Sequence, residues 1–186
     1  ILSLSEKCED MTDGAFSAKA APLFDIWGFG FTTDSLPSEE RIRVALAESK
    51  SGKVLNFNAI AQGYSCDVIA SYLKSIGVED MLVNIGEIYC SGMNPEGEGW
   101  KIGVDSPIDG NNTPGENLSG IWQSDGRACG IVTSGNYRKF YIKDGKKYSH
   151  TIDPRNGYPV QHDLLSATIV APTAAEADAL ATACMV

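Results

Sequence analysis

Asp144-Gly145 separates two runs rich in β-forming residues, Tyr137 to Lys143 and Lys146 to Ile152. An Asp-Gly pair suits the two-residue turn whose central positions both need positive φ, so the two runs are expected to fold back on each other as a hairpin. A sheet that holds a hairpin is not wholly parallel. Further short runs at Met81 to Ile85, Trp100 to Val104, Leu118 to Gln123, Gly130 to Thr133 and Ser166 to Val170 are bounded by glycine, proline and asparagine clusters and read as strands. Helical segments lie among them, so the expected class is α+β: a mixed or antiparallel sheet with packed helices. A dinucleotide-binding parallel fold is excluded on motif grounds, because no G-x-G-x-x-G follows a strand and opens a helix.

The clearest helix is central. Val68, Ile69, Tyr72, Leu73 and Ile76 fall at i, i+1, i+4, i+5 and i+8, which predicts one buried face, and Gly77 is placed to end it. A last helix is expected from Thr173, with Glu176 three residues on as a capping box and Pro172 just before, running to the end of the chain. Ile1 to Thr12 reads as a helix with Leu2, Leu4 and Cys8 on its apolar side, and Ser38 to Ser49 as another built on Ile42 and Leu46. Phe24 to Gly30, aromatic and glycine-rich, reads as a turn packed on the core, and Asp109 to Asn117 as a mobile loop.

With 186 residues, 43% hydrophobic and 21% charged, the chain has the composition of one globular domain over residues 1–186. A net charge of −9 repels a phosphate backbone and no basic stripe offsets it, so nucleic acid is not an expected partner. A phosphate-bearing ligand would need local help from a metal or a helix N-terminus. The five cysteines include no C-x-x-C pair and there are only two histidines, so the thiols read as buried small hydrophobes and a zinc site is not expected. No apolar run reaches the ~18 residues of a membrane span, and no basic segment precedes an apolar one at the start, so this form is expected to be soluble.

Three stretches could carry chemistry. Asp178 and Thr182, four residues apart on the last helix, share a face left uncrowded by Ala174, Ala177 and Ala181, an arrangement of oxygens that would suit a hard cation such as magnesium. Asn56 to Tyr64 leads into the central helix and could present backbone groups to a phosphate or a metal. His150 stands where a strand ends before Asp153-Pro154, a position from which an imidazole could take a hydroxyl proton. Each pattern alone is open to a structural reading: a Thr bonding back to its own helix, a tight strand-to-helix turn, an ordinary structural His. Thr133-Ser134-Gly135-Asn136-Tyr137 lacks the G-x-S-x-G of a hydrolase elbow, and no Ser-His-Asp order supports a triad.

Taken together and in order, these stretches resemble the ApbE family of flavin transferases. Thr12-Asp13-Gly14-Ala15-Phe16 and Trp27-Gly28-Phe29-Gly30 look like the family's early signature, and Asn56 to Asp67 like its D-x-x-A-I-A-K-G-Y…D motif. Asn84-Ile85-Gly86-Glu87-Ile88, Trp100 to Val104, Thr133 to Tyr137, His150 to Pro154 and Ala177 to Thr182 follow in the family's order. The resemblance implies a T-fold-related domain that moves FMN from FAD onto a Thr or Ser hydroxyl of an acceptor flavoprotein, with Mg2+ as cofactor and AMP released. By the same resemblance the metal ligands are the Asp178 carboxylate, the Thr182 hydroxyl and the Ala59 carbonyl. Asn56, Gln62, Ser134, Gly135 and Ile152 would bind the flavin nucleotide, and His150 would be the catalytic base. Two family charges are missing, since Asn56 stands for an aspartate and Gln62 for a lysine, and Asn84 to Glu87 holds one glycine where the family usually has two. The resemblance also implies that the family's N-terminal region and C-terminal tail are lacking and that the parent is a lipoprotein on the extracytoplasmic, periplasmic face of the membrane. An FAD pyrophosphatase and a non-catalytic flavin-binding protein are the alternatives.

Overall fold

The computed structural model describes residues 1–28, 36–108, 111, 113–136, 140–143 and 145–186. Five α-helices and eight strands run in the order α1 (Leu2–Met11), α2 (Ala21–Ile26), α3 (Glu39–Ser51), α4 (Ala61–Ser75), β1 (Met81–Asn84), β2 (Ile88–Ser91), β3 (Lys101–Asp105), β4 (Leu118–Gln123), β5 (Cys129–Gly135), β6 (Phe140–Lys143), β7 (Lys146–Ser149), β8 (Ser166–Ala171) and α5 (Ala174–Cys184) among the described residues, with a 3-10 turn at Ala18–Ala20 before α2. A four-stranded sheet has the order β1-β2-β5-β8, and β3-β4 and β6-β7 form two-stranded ribbons. Every pairing among the described residues is antiparallel. The α+β class is therefore observed, as is the hairpin at Gly145. Asp144 and Tyr137 to Lys139 lie outside the described residues, as do Phe29, Gly30, Asp109, Gly110 and Asn112 of the expected turn and loop.

Helix α5 is the hub. Its alanines Ala174, Ala175, Ala177, Ala179 and Ala181 are completely buried. Ala177 and Ala181 pack on Val132 and Ala171 of the sheet, while Ala175 and Ala179 meet Cys8, Phe16 and Ile60 on the other side. Its first residue wedges between two glycines. A Cβ on Gly63 of α4 would lie 2.2 Å from the Ala174 carbonyl oxygen, and one on Gly130 of β5 would lie 2.2 Å from the Ala174 Cα. The Thr173 hydroxyl accepts from the Glu176 N–H at 3.1 Å, the cap expected from the sequence. The helix closes at Cys184 with Met185 as its cap, rather than running through the last residue.

The central helix corrects the expected face. Val68, Tyr72 and Ile76 are 51%, 64% and 60% exposed, and Ile69 is exposed too, whereas Gly63, Cys66 and Ala70 are buried and Leu73 half-buried. The reason is distance: α4 lies so close to α5 that only small residues fit the contact, and the bulky stripe is turned outward. Gly77, with φ +90, does end the helix, its N–H and that of Val78 closing back on Lys74 and Leu73.

Two further expectations change. Phe24 to Ile26 belongs to a short helix, α2, with Pro22 in its first turn and Trp27 as its C-cap. Trp27 anchors its end, donating to the Gly157 carbonyl at 2.8 Å and packing with Leu23, Ile42 and Ile152. Strand β2 was not expected as a strand: Ile88 to Ser91 pairs with both β1 and β5, after a turn through Gly86 at φ +112.

Gly130→Ala should therefore lower the unfolding free energy by at least ~2 kcal/mol, since backbone rather than a flexible side chain must yield. Gly120→Ala on β4, with nothing within 4 Å, should change it by less than ~0.5 kcal/mol. Urea unfolding of both checks this, and equal effects would mean that Ala174 is not the tight point of the fold.

Candidate functional site

Helix α4 begins without help from its own N-cap, because Ile60 offers no side-chain acceptor. The N–H of Gly63 is one of the donors such a helix start leaves without a partner. It donates at 3.0 Å to Asp178 Oδ2, carried in from α5. The reverse also holds: Asp67 of α4 accepts from the Ala174 and Ala175 N–H groups at 2.8 and 2.9 Å, closing the start of α5. The two helices cap each other, each with one carboxylate, and the positive ends of both dipoles face those carboxylates.

Asp178 is 5% exposed, and burial raises its carboxyl to about 6 against the pull of the Gly63 hydrogen bond. Glu87, in the β1–β2 turn, is raised to about 8, first by burial and then by the negative charge of Asp178. The turn is seated on α4: Cys66 Sγ donates to the Glu87 carbonyl at 3.1 Å, and the Gln62 amide lies over Gly86. Neither carboxylate has a Lys or Arg partner among the described ion pairs. Two acids crowded together without a cation would be relieved by a divalent one. The carboxylates of Asp178 and Glu87 are the hard oxygen donors that magnesium takes, as are the Thr182 hydroxyl, one turn along α5, and the Ala59 carbonyl, just before α4. No group of three or more His, Cys, Asp or Glu side chains with metal-binding geometry occurs among the described residues, so such a site would rest on neutral oxygens beside its carboxylates.

Thr182, one turn beyond Asp178, lies 3.5 Å from the Ser134 hydroxyl near the end of β5. Two residues on, Asn136 Oδ1 accepts from the Thr151 hydroxyl at 2.5 Å, which ties the His150-Thr151 segment to the same strand end. His150 follows β7 directly and is half-buried. Ile152 is a core residue, 2% exposed beside Leu23 and Trp27, so its side chain is committed to packing. Asn56 is turned inward on its own loop, its Oδ1 accepting from the Asn58 N–H at 2.8 Å. Gln62 is exposed on the first turn of α4.

The early signature stretches pack onto the His150 to Gly157 segment. Gly14 faces the Arg155 side chain, Trp27 holds Gly157, and the Trp27 ring lies 6.0 Å from that of Tyr148 and 6.1 Å from that of Tyr158. Glu87 and Asp67 are the residues sequence reasoning did not single out. Asp67 had a signal, as the last letter of the Asn56 to Asp67 motif, whereas nothing local marks Glu87 as close to Asp178. His162 is exposed, and its ring joins the Leu164 N–H to the Met185 carbonyl.

A model of the ApbE family matches residues 1–186, the whole chain, and the chain belongs to that family. It is 34% identical over its full length to the FAD:protein FMN transferase of Escherichia coli K12 and 33% identical to that of Klebsiella pneumoniae strain 342, covering 58% of each. The crystal structure of the Pseudomonas stutzeri flavinyl transferase ApbE in its apo form superposes with a TM-score of 0.83 at 33% identity, covering 98% of this chain and 60% of that one. The chain thus spans somewhat more than half the length of these relatives. No helix among the described residues is long and apolar enough to cross a membrane.

The raised carboxyls give a pH dependence with a definite sign. Between their ordinary values of 3.8 and 4.5 and the raised ones of about 6 and about 8, Asp178 and Glu87 bind more proton in the folded than in the unfolded state. Stability in the presence of a chelator should therefore fall as pH rises from about 4 to about 8. Millimolar magnesium should restore it at the upper end, and Asp178→Asn should flatten the lower part of the slope. Thermal unfolding across pH with EDTA or Mg2+ reads this directly; stability that rises over the same range in chelator would contradict it.

Proposed function

We propose that this chain carries the site of an FAD:protein FMN transferase, moving FMN from FAD onto a Thr or Ser hydroxyl of an acceptor flavoprotein and releasing AMP. The observation that carries the reading is the meeting of Asp178 with the start of α4 at Gly63, beside Thr182 and Ser134, in a chain of the ApbE family. A bound magnesium ion would supply positive charge beside the FAD diphosphate. Asp178, Thr182 and the Ala59 carbonyl would hold it.

The chain's own groups then divide the work. The first turn of α4, whose Gly63 N–H is already taken by Asp178, would bring the positive end of its dipole toward a phosphate. Asn56 and Gln62 flank that approach without the charges the family pattern has there, so phosphate binding rests more heavily on the helix end and the metal. Ser134, Gly135 and the main chain of Ile152 line the flavin side. His150 accepts the proton of the acceptor hydroxyl as its oxygen attacks the FMN phosphorus and the bond to AMP breaks. The isoalloxazine ring is cargo, and its redox state need not change. The acceptor would be a flavoprotein subunit reached on the extracytoplasmic side, with the parent held there as a lipoprotein.

The test is to incubate the full-length protein with FAD, Mg2+ and a peptide bearing a Thr/Ser flavinylation motif, and to weigh the peptide with and without chelator. A metal-dependent gain of one FMN is expected. Free FMN and AMP with unmodified peptide would make water the acceptor and the protein a pyrophosphatase, and intact FAD would leave a binding protein. Asp178→Ala should reduce transfer to background. His150→Ala should slow transfer by ~10²- to 10⁴-fold with FAD binding kept, and unchanged transfer would remove the imidazole from its role.

A further inference from the structure

Five cysteines are free, and two of them are paired in space. Cys90 on β2 and Cys129 on β5 are Cα partners in the antiparallel ladder, with their sulfurs 3.7 Å apart. Directly opposed residues in such a ladder have Cα atoms about 4.5–5.5 Å apart, inside the ~4.4–6.8 Å range a disulfide spans, so a bond would ask for little backbone movement. Cys90 is completely buried under Ile102 and Ile131, with Trp100 and Trp122 packed against the cluster, whereas Cys129 is partly exposed. The pair sits at a defined place in the topology. The β2–β5 ladder has three residue pairs, Ile88 with Ile131, Tyr89 with Gly130, and Cys90 with Cys129. Between the two cysteines, after Ser91, the chain leaves the sheet to form the whole β3–β4 ribbon.

We propose that Cys90 and Cys129 are a reversible disulfide site, a staple that closes residues 90–129 at the foot of the β3–β4 ribbon. With a small-molecule disulfide such as glutathione disulfide as oxidant, the Cys129 thiolate attacks one sulfur of the oxidant, forming a mixed disulfide and releasing one glutathione thiolate. The Cys90 thiolate then attacks Cys129 Sγ and releases the second. One S–S bond breaks in the oxidant and one forms in the protein; the two thiol protons go to solvent or the released thiolates, and the two electrons reduce the oxidant. Burial pushes the Cys90 thiol up to about 12 and the Cys129 thiol above its usual value, so the exchange is slow at neutral pH and the pair must be read at equilibrium.

The experiment equilibrates the full-length, folded protein in glutathione buffers from fully reduced to fully oxidised, quenches with acid, denatures, alkylates and maps the peptides by mass spectrometry. The expected result is a Cys90–Cys129 linked peptide within one chain, reversed by dithiothreitol. A rise of about 5–15 °C in the unfolding midpoint of the oxidised over the reduced protein should accompany it, because the closed loop restrains the unfolded chain. Three outcomes overturn the proposal: both cysteines alkylated in fully oxidising buffer, glutathione retained on Cys129 with Cys90 still reduced, or a link that joins either of them to another cysteine or another chain. The comparison uses the unaltered protein in its two redox states, and Cys129→Ser should abolish both the linked peptide and the midpoint shift.

Discussion

Asp67 closes the start of α5 and Asp178 closes the start of α4, so neither helix can shift without stripping a shielded carboxylate of its N–H partners. The crossing is tightened by Ala174, held between the bare backbones of Gly63 and Gly130. These contacts bind α4, α5 and β5 into one unit. The remaining layers follow from it: β1 and β2 pack under α4 through Met81, Val83 and Tyr89, and α1 with the segment after it covers the far side of α5 through Cys8 and Phe16. On the opposite face of the sheet the β3–β4 ribbon is seated by Ile102, Trp100 and Trp122.

That same crossing makes the candidate site. A carboxylate recruited to cap a helix is buried by the helices it joins, and burial raises its pKa even though a backbone N–H favours its charge. Glu87 sits close enough for the negative charge of Asp178 to raise its carboxyl further, beyond the effect of its own burial. In the function proposed above, the residue that orients α4 would also be the one that offers its carboxylate to a cation, so removing it would disturb both.

Much of this was readable in advance. The Asp-Gly turn announced β6 and β7, the Thr173 cap announced α5, and boundaries of glycine, proline and asparagine located β1, β3, β4, β5 and β8 to within one or two residues. The face of α4 was misjudged because hydrophobic periodicity measures bulk, and this contact selects for smallness: Gly63, Cys66 and Ala70 recur at helical spacing but carry little hydrophobic weight. Strand β2 was missed because a four-residue strand following a tight glycine turn has too few positions to show an alternating pattern. Of the site, Asp178, Thr182 and the segment before α4 were legible as motifs, since i and i+4 on one helix are neighbours whatever the fold.

What the sequence alone determined is therefore local and ordered along the chain: which segments turn, cap and pair, and the family whose motifs recur in that order. Tertiary structure decided what lies across from what. Gly63 is 115 residues from Asp178, Ser134 is 48 from Thr182, and Asn136 is 15 from Thr151, yet each pair is in hydrogen-bonding contact. Glu87 comes to Asp178 only when the β1–β2 turn docks on α4, and Cys90 faces Cys129 only in the register of β2 on β5. Such meetings depend on packing small residues until backbones touch, and no periodicity in one segment records the shape of its neighbour.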